Sequence, residues 1–194
     1  MDYIKKNPTL DELVYLASQG FCKPVTEALV QDVSQHLADT DFCLCVEDQG
    51  KLVGCMLCKI PLSGVLYIAG TLILPEYQGE RIKAQATLFL LREHPELKWF
   101  SGRTQSPIVW SSVRSIAREM LPYPDIREVS QEAFNHLQQL VNALGMSAPI
   151  QQGFYGGSLY GKKPLNRDPN IQTWWDGLCD FERGDAVLYI ARLN

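Results

Sequence analysis

One stretch of the sequence has the order of residue types that suits an anion-binding loop. A long apolar run ends at Leu74, a turn follows from Pro75 to Glu80, and a helical period begins at Arg81. The first N–H groups of a helix have no partner inside the helix, so they form a cradle for a phosphate or pyrophosphate. A strand before the turn places such a ligand at its carboxyl end, where open α/β sheets commonly bind. The sequence therefore predicts an anion site at the start of this helix.

The elements that must position this loop begin with a short strand and two helices. Tyr3 to Lys5 suits a first strand. Thr9 and Glu12 form a capping box that begins the first helix, and Gly20 is expected to end it. Apolar residues spaced four apart from Val25 to Leu37 predict the second helix.

Strands come next along the chain. Asp41 to Val46 and Leu52 to Leu57 are apolar segments joined by a short polar loop with glycine, which predicts a β-hairpin. The near-continuous apolar run from Val65 to Leu74 predicts a central strand that is covered on both faces. Gly70 inside this run is typical of a bulge or of a close approach by a ligand.

The second half of the chain alternates helices and strands before a loop-rich segment. We expect a helix at 81–92, a strand at 97–104, a helix from Ser106 and Pro107 to Met120, a helix at 125–144, and a final strand at 185–191, with a loop-rich segment at about 146–180. This order predicts an α/β fold with a mixed central sheet and helices on both faces, built as one domain over residues 1–194.

Composition excludes several classes of protein. The chain is 46% hydrophobic and 21% charged, which is typical of a globular protein and not of a disordered one. Its formal net charge of −4 disfavours nucleic-acid partners, and no apolar run is long enough to cross a membrane. The six cysteines come without a visible secretory signal, so we expect reduced thiols and a cytoplasmic location.

The loop and its preceding strand resemble the GNAT superfamily of acyl-CoA-dependent N-acetyltransferases. Leu74-Pro75-Glu76-Tyr77-Gln78-Gly79 is similar to the family's V-x-P-x-Y-[QR]-G run. The resemblance implies a GNAT-like fold, with acetyl-CoA or another acyl-CoA as co-substrate and no metal. It also implies that the strand pairs with the pantetheine arm and that main-chain amides of the Q/R-x-x-G-x-G/A loop hold the pyrophosphate. The implied binding residues are Leu72, Ile73, Leu74, Gln78, Gly79, Glu80, Arg81, Ile82 and Lys83.

The loop departs from the family in two places. Arg81 and Lys83 stand where the family prefers small residues, and a side chain there can crowd the phosphate. Both substitutes are cationic, so they can also contact phosphate directly. A later register, Arg81-x-x-Ala84-x-Ala86, fits the family motif loosely, and a solvated helix start with two surface cations is the simpler alternative.

The usual acid and base of the family are missing. Arg103-Thr104-Gln105-Ser106-Pro107 is similar to the segment after the family's fifth strand, but no tyrosine follows it up to Met120. Tyr67, Tyr123 and Tyr160 are the replacement candidates, and we expect Tyr123 as the catalytic acid because it follows that helix. The predicted function is N-acetyl transfer to a small-molecule or peptide amine; the alternative is a non-catalytic GNAT-like binding module.

Two other motifs point to structure and not to chemistry. Gly156-x-x-x-x-Gly161-Lys162 lacks the Ser or Thr of a P-loop and is followed by Pro164, so we expect a flexible loop. Cys55-x-x-Cys58 has zinc-like spacing, but residues three apart in a strand face opposite sides of the sheet. Buried thiols are the expected outcome there.

Overall fold

The computed structural model describes residues 1–125 and 129–193, and its fold class is mixed α/β, as the sequence predicts. The strands in this part of the chain are β1 (Asp2–Lys5), β2 (Phe42–Asp48), β3 (Lys51–Leu62), β4 (Val65–Ile73), β5 (Trp99–Thr104), β6 (Ala117–Leu121), β7 (Ile150–Gln151) and β8 (Ala186–Leu193). The helices are α1 (Leu10–Phe21), α2 (Glu27–Ala38), α3 (Ile82–Glu93), α4 (Pro107–Arg114), α5 (Gln131–Ala143) and α6 (Pro169–Leu178).

The chain divides into two compact units. One consists of Met1–Ile60 and Tyr67–Glu96, and the other of Pro61–Leu66 and Leu97–Asn194. The first unit holds β1, β2 and most of β3 and β4 with α1, α2 and α3; the second holds the remaining strands and helices. The single domain expected from the sequence stays a prediction.

The β-hairpin expected in the first unit is confirmed. β2 and β3 pair antiparallel, and β1 pairs with β2 on the opposite side. The turn residues Gln49 and Gly50 both have positive φ, 51° and 78°. Such a turn matches the right-handed twist of the two strands that it joins, so the hairpin's register is fixed locally.

The core of the first unit lies between α1, α2 and one face of the sheet. The capping box of α1 forms as expected, with Thr9 accepting from the Glu12 N–H and the Glu12 carboxylate accepting from the Thr9 N–H. Leu13 of α1 and Val33 of α2 are buried in the same cluster as Cys45 of β2. The apolar faces of both helices therefore pack against one side of β2, β3 and β4.

The other face of this sheet carries α3. The Tyr3 ring of β1 stacks on Phe89 of α3 with ring centroids 5.4 Å apart, and its hydroxyl donates to Gln85 Oε1 at 2.8 Å. Tyr3 pairs with Val46, whose neighbour Cys45 faces α1, so the helices of this unit cover both faces of its sheet.

In the second unit β8 is the central strand. β5, β6 and β7 all pair with it antiparallel. Ala186 to Ala191 are fully buried, which agrees with their continuous apolar run.

The prediction that this helix continues to Met120 is wrong beyond Arg114, where α4 ends. α4 begins at Pro107 with Ser106 as its N-cap, as predicted, but β6 follows it and pairs with β8. A register shift between Ala117 and Glu119 places both Ala117 and Met120 in the interior. That shift gives a strand the three-residue apolar spacing that is typical of a helix.

Two further elements differ from the sequence-based expectations. α5 begins at Gln131 with Ser130 as N-cap, later than the expected start at Asp125; residues 126–128 lie outside the described part of the chain. The loop-rich segment contains β7 and α6, and α6 begins with Asp168 as N-cap and Pro169 in its first turn. Asp-Pro is a helix start signal that the surrounding glycines and aromatics obscure.

A buried carboxylate holds the turn before β8. Asp185 is fully buried and accepts two bonds from Arg183, from Nε and Nη2 at 2.7 Å each. It also accepts from the main-chain N–H groups of Gly153 at 2.9 Å and Asp180 at 3.0 Å. The Arg183 bonds are the largest cause that lowers the pKa of Asp185 to about 2 from its usual 3.8.

Replacing Asp185 by Asn should lower the free energy of unfolding by about 2–4 kcal/mol, because Arg183 and two N–H groups lose a charged acceptor. In the wild type this carboxylate's contribution is complete above its unfolded pKa and is lost as pH falls through about 2. Urea unfolding between neutral and acidic pH measures both effects. Glu182→Gln, which neutralises an exposed acid of the same turn, is the control, and an equal loss in the two variants would contradict the assignment.

Candidate active site

The predicted anion-binding loop lies between β4 and α3 and is open to solvent. A single 3-10 turn, Pro75–Tyr77, follows β4, and α3 begins at Ile82. Gln78, Gly79, Glu80 and Arg81 are exposed, while Ile82 is buried in the core of the first unit. The loop is thus anchored at both ends and accessible between them.

The amide of Gln78 joins three segments of backbone. Its Nε2 donates to the carbonyl oxygen of Ile73, at the end of β4, at 3.1 Å, and to that of Gly20 in α1 at 3.0 Å. A Cβ on Gly20 would lie 2.9 Å from the Ile73 oxygen, so only glycine allows this approach. Gly20 does not end α1, as the sequence suggested; α1 continues to Phe21, and Cys22 takes the left-handed conformation that ends it.

A second contact fixes the turn to the β2–β3 hairpin. The Tyr77 hydroxyl donates to Asp48 Oδ2 at 2.9 Å, which raises the pKa of Tyr77. Lys51 and Glu76 form an ion pair at 3.7 Å beside it. Sequence reasoning missed Asp48 and Gly20 because both lie far along the chain from the loop, and no local pattern signals either contact.

The start of α3 differs from those of the other described helices. In each of the other described α-helices, the N-cap side chain accepts a hydrogen bond from a first-turn N–H. These N-cap residues are Thr9, Thr26, Ser106, Ser130 and Asp168. α3 has no side-chain cap bond and no acidic residue in its first turn. Its N-terminal N–H groups therefore retain the donor capacity and the positive end of the helix dipole that an anion needs.

The loop's conformation also suits a group that approaches the main chain closely. Gly79 has φ of 93°, and no described atom lies within 4 Å of where its Cβ would be. Arg81, the N-cap residue, has φ of 60° and ψ of 21°, which is the left-handed region. A non-glycine residue there is uncommon, and it stands at the position where the family motif has glycine.

Lys83 is the second cation of the loop. Its side chain is half-buried in the first turn of α3, and desolvation lowers its pKa to about 8. A lysine is charged below its pKa, so Lys83 is mostly cationic at neutral pH. The loop thus combines uncapped main-chain donors with two cationic side chains.

The family model described as "Acetyltransferase (GNAT) family" matches residues 10–94, a range that contains this loop and both elements that hold it. This segment belongs to the GNAT family. The matched range covers less than half of the chain, and it ends just before β5.

Solved structures of low sequence identity share the GNAT fold. An IAA acetyltransferase from Bacillus cereus is 8% identical with a TM-score of 0.54, covering 99% of this chain and 100% of its own. The ribosomal-protein-S18-alanine N-acetyltransferase from Escherichia coli is 10% identical with a TM-score of 0.50, covering 100% and 95%. An aminoglycoside 6′-N-acetyltransferase complexed with coenzyme A is 11% identical with a TM-score of 0.50, covering 99% and 97%. No curated protein matches the chain by sequence.

The strand residues assigned to the pantetheine arm by the GNAT resemblance lie at the end of β4. The side chains of Leu72 and Leu74 are buried among the core residues that α1 covers, and Ile73 is half-buried. The Leu74 N–H donates to the carbonyl of Val53. The leucine side chains therefore help to form the core. A pantetheine arm along this segment would hydrogen-bond to main-chain groups of β4 and not to these side chains.

The later GNAT register fits the structure less well than the first. It would use Ala84 and Ala86, but α3 has already begun at Ile82 and both alanines are buried. The register that ends at Lys83 keeps the loop ahead of the helix.

The three tyrosines proposed as acids lie in different surroundings. Tyr67 is buried within β4. Tyr123 is half-buried, with its ring 6.2 Å from that of Trp110 and the Arg114 guanidinium 4.9 Å from its centroid. Tyr160 is half-buried and hydrogen-bonded to the Thr104 side chain, and desolvation raises its pKa to about 12. The role of Tyr123 stays a prediction.

The segment that follows the fifth strand in the GNAT resemblance has a structural role here. Gln105 is buried; its Nε2 donates to the Phe181 carbonyl at 3.0 Å and its Oε1 accepts from the Leu159 N–H at 2.8 Å. The Trp175 indole donates to the Gln105 carbonyl at 3.2 Å. Sequence reasoning missed this role, because these three partners are remote along the chain.

The remaining motifs lie in a loop and in buried strands of the described part of the chain. The glycine-rich segment near Lys162 is irregular and precedes no helix before Pro169, so it is a loop, as expected. All six cysteines are free thiols, and only Cys22 is exposed. Within residues 1–125 and 129–193, no group of three or more His, Cys, Asp or Glu side chains could hold a metal ion, and no helix is long and apolar enough to cross a membrane.

The left-handed N-cap of α3 gives a test of the loop conformation. Arg81→Gly should be more stable than Arg81→Ala by about 1 kcal/mol, because both variants lose the guanidinium and only alanine keeps a Cβ in the left-handed region. Chemical unfolding of the two purified variants measures the difference. An alanine variant that equals or exceeds the glycine variant in stability would show that residue 81 is not left-handed in solution.

Proposed function

We propose that the chain is an N-acetyltransferase that uses acetyl-CoA, or a related acyl-CoA, as its co-substrate. The observation that carries the proposal is the uncapped start of α3, which follows β4 and its exposed loop in the segment that the GNAT family model matches. The proposed binding residues run along the end of β4 and through the loop: Leu72, Ile73, Leu74, Gln78, Gly79, Glu80, Arg81, Ile82 and Lys83.

In the proposed reaction a neutral amine attacks the thioester carbonyl directly. The new C–N bond forms as the C–S bond breaks. The nitrogen gives up one proton and the leaving thiolate takes up one, so the products are an amide and free CoA. The protein's contribution is to hold the acyl group beside the amine and to polarise the carbonyl with a main-chain N–H of the strand. Tyr123 is the proposed donor of the proton to the thiolate, and a Tyr123→Phe variant with full turnover would exclude it.

The proposed acceptor is a small-molecule or peptide amine. The chain has a formal net charge of −4 and a sequence pI near 5.4, which favours a neutral or cationic acceptor over a polyanion. The solved structures with the same fold include acetyltransferases named for an aminoglycoside and for a ribosomal-protein alanine, so the fold accommodates both kinds of acceptor.

Calorimetry with acetyl-CoA, followed by a thiol-release assay against a panel of amines, tests the proposal. We expect binding with one site per chain and acceptor-dependent release of CoA. Failure of acetyl-CoA, CoA and their nucleotide portion to bind would overturn the proposed function. Binding without turnover on any amine would favour the non-catalytic module, which the missing acid and base residues support.

Gly79→Ala should weaken acetyl-CoA binding about tenfold or more, because the methyl group enters the open side of the loop and strains a residue with φ of 93°. Calorimetry measures the affinity. Gly145→Ala is the matched control: Gly145 also has positive φ and no described atom within 4 Å of a built Cβ, but it follows α5. Equal effects of both substitutions on affinity would show that Gly79 acts through stability alone.

The lowered pKa of Lys83 predicts a pH dependence of binding. The ammonium is present below about 8 and is lost as pH rises through that value, so affinity for acetyl-CoA should fall roughly threefold or more from about pH 7 to about pH 9. Lys83→Arg keeps the charge and should flatten the profile, while Lys83→Ala should bind more weakly at neutral pH and also give a flat profile. A wild-type profile that Lys83→Ala leaves unchanged would remove this side chain from the site.

A further inference from the structure

One side-chain oxygen in β4 is buried without a hydrogen-bond partner. The Oγ1 atom of Thr71 is inaccessible to solvent and meets no donor or acceptor among residues 1–125 and 129–193. A buried hydroxyl without a partner is unfavourable, and the great majority of such groups in folded proteins are paired. Valine has nearly the same shape and would avoid this penalty, so the hydroxyl calls for an explanation.

The register of β4 gives the side of the sheet on which Thr71 lies. The Leu74 N–H donates to the Val53 carbonyl, and a Cβ on Gly70 would meet the Leu57 side chain at 3.3 Å. Leu57 pairs with Cys43, two residues from Cys45 in β2, so it lies on the face of the sheet that α1 covers. Because side chains alternate along a strand, Thr71 lies on the opposite face, which is the face that carries α3.

Thr71 is also close to the start of the proposed binding segment. It immediately precedes Leu72 and lies about 10 Å along the strand from Leu74, at about 3.3 Å per residue. The residue as a whole is half-buried although its hydroxyl is not accessible. Rotation about its Cα–Cβ bond to another staggered position exchanges the hydroxyl with the methyl group or the hydrogen, so the hydroxyl can reach a group that arrives beside the strand.

We propose that Thr71 is a specificity-determining residue that hydrogen-bonds a carbonyl of the acyl-pantetheine arm. The inference rests on the proposed function, since the arm is the part of an acyl-CoA that would extend along β4 from the loop. The arm carries two amide carbonyls and ends in the thioester carbonyl, and each of these is an acceptor for the Thr71 O–H. The ligand supplies the partner that the free protein lacks.

Three variants and three ligands test the inference. Thr71→Val removes the hydroxyl at nearly constant volume, and Thr71→Ser keeps it. Ile68→Val is the matched control, because it trims a buried side chain of the same strand outside the proposed binding residues. The ligands are acetyl-CoA, CoA, which lacks the acyl carbonyl, and 3′-phospho-ADP, which lacks the arm. Calorimetry gives the affinities, and thermal unfolding without ligand gives the stability of each variant.

We expect Thr71→Val to be at least as stable as the wild type and to bind acetyl-CoA about five- to tenfold more weakly, with Thr71→Ser close to the wild type. Binding of 3′-phospho-ADP should be the same in all variants. A loss with acetyl-CoA alone assigns the bond to the thioester carbonyl, and a loss with both acetyl-CoA and CoA assigns it to an amide of the arm.

The inference is overturned if Thr71→Val binds acetyl-CoA as tightly as the wild type, or if it weakens 3′-phospho-ADP to the same extent. The proposed function fails differently: the wild type itself would then bind none of the three ligands. An equal loss in Ile68→Val would also overturn the inference, because packing of the strand would then account for the effect.

Discussion

The candidate site depends on one side-chain amide that holds three backbone segments together. Gln78 donates to carbonyls of α1 and β4, and the approach between Gly20 and Ile73 leaves no room for any other residue at position 20. Because the loop returns to these carbonyls before α3 begins, the start of the helix is held against the end of β4. An exposed hydrogen bond contributes little to stability, so the role of these bonds is to position the start of α3 beside β4.

The chemistry of the loop is a balance between strain and charge. A left-handed Arg81 is unfavourable, and such conformations persist only where the surrounding structure determines them, here the Gln78 contacts on one side and buried Ile82 on the other. In return the loop presents two cations beside uncapped N–H groups. Side-chain cations attract phosphate from further away than main-chain dipoles do, but salt screens them more strongly.

The sequence was enough to predict those features that depend on contacts between residues close together in the chain. The Thr9 capping box, the Ser106-Pro107 helix start and the polar hairpin turn each depend on neighbouring residues, and all three form. The register shift in β6 was not predictable, because pairing with β8 produces it. In the site, sequence placed the loop and its cations, but Asp48 and Gly20 act through contacts that only the folded chain creates.

Because the usual acid and base are missing, acyl transfer by this protein would depend on how it orients the amine and polarises the thioester carbonyl. A thioester already has a good leaving group, so a neutral amine needs mainly orientation and a polarised carbonyl, both of which main-chain groups provide. The amine must also be neutral when it attacks. Burial of an acceptor ammonium favours its neutral form, because desolvation lowers the pKa of the ammonium. Burial acts in this direction on half-buried Lys83 of the loop, where desolvation lowers the pKa of the ammonium to about 8. A fold that desolvates its acceptor in the same way needs no dedicated base for weakly basic amines.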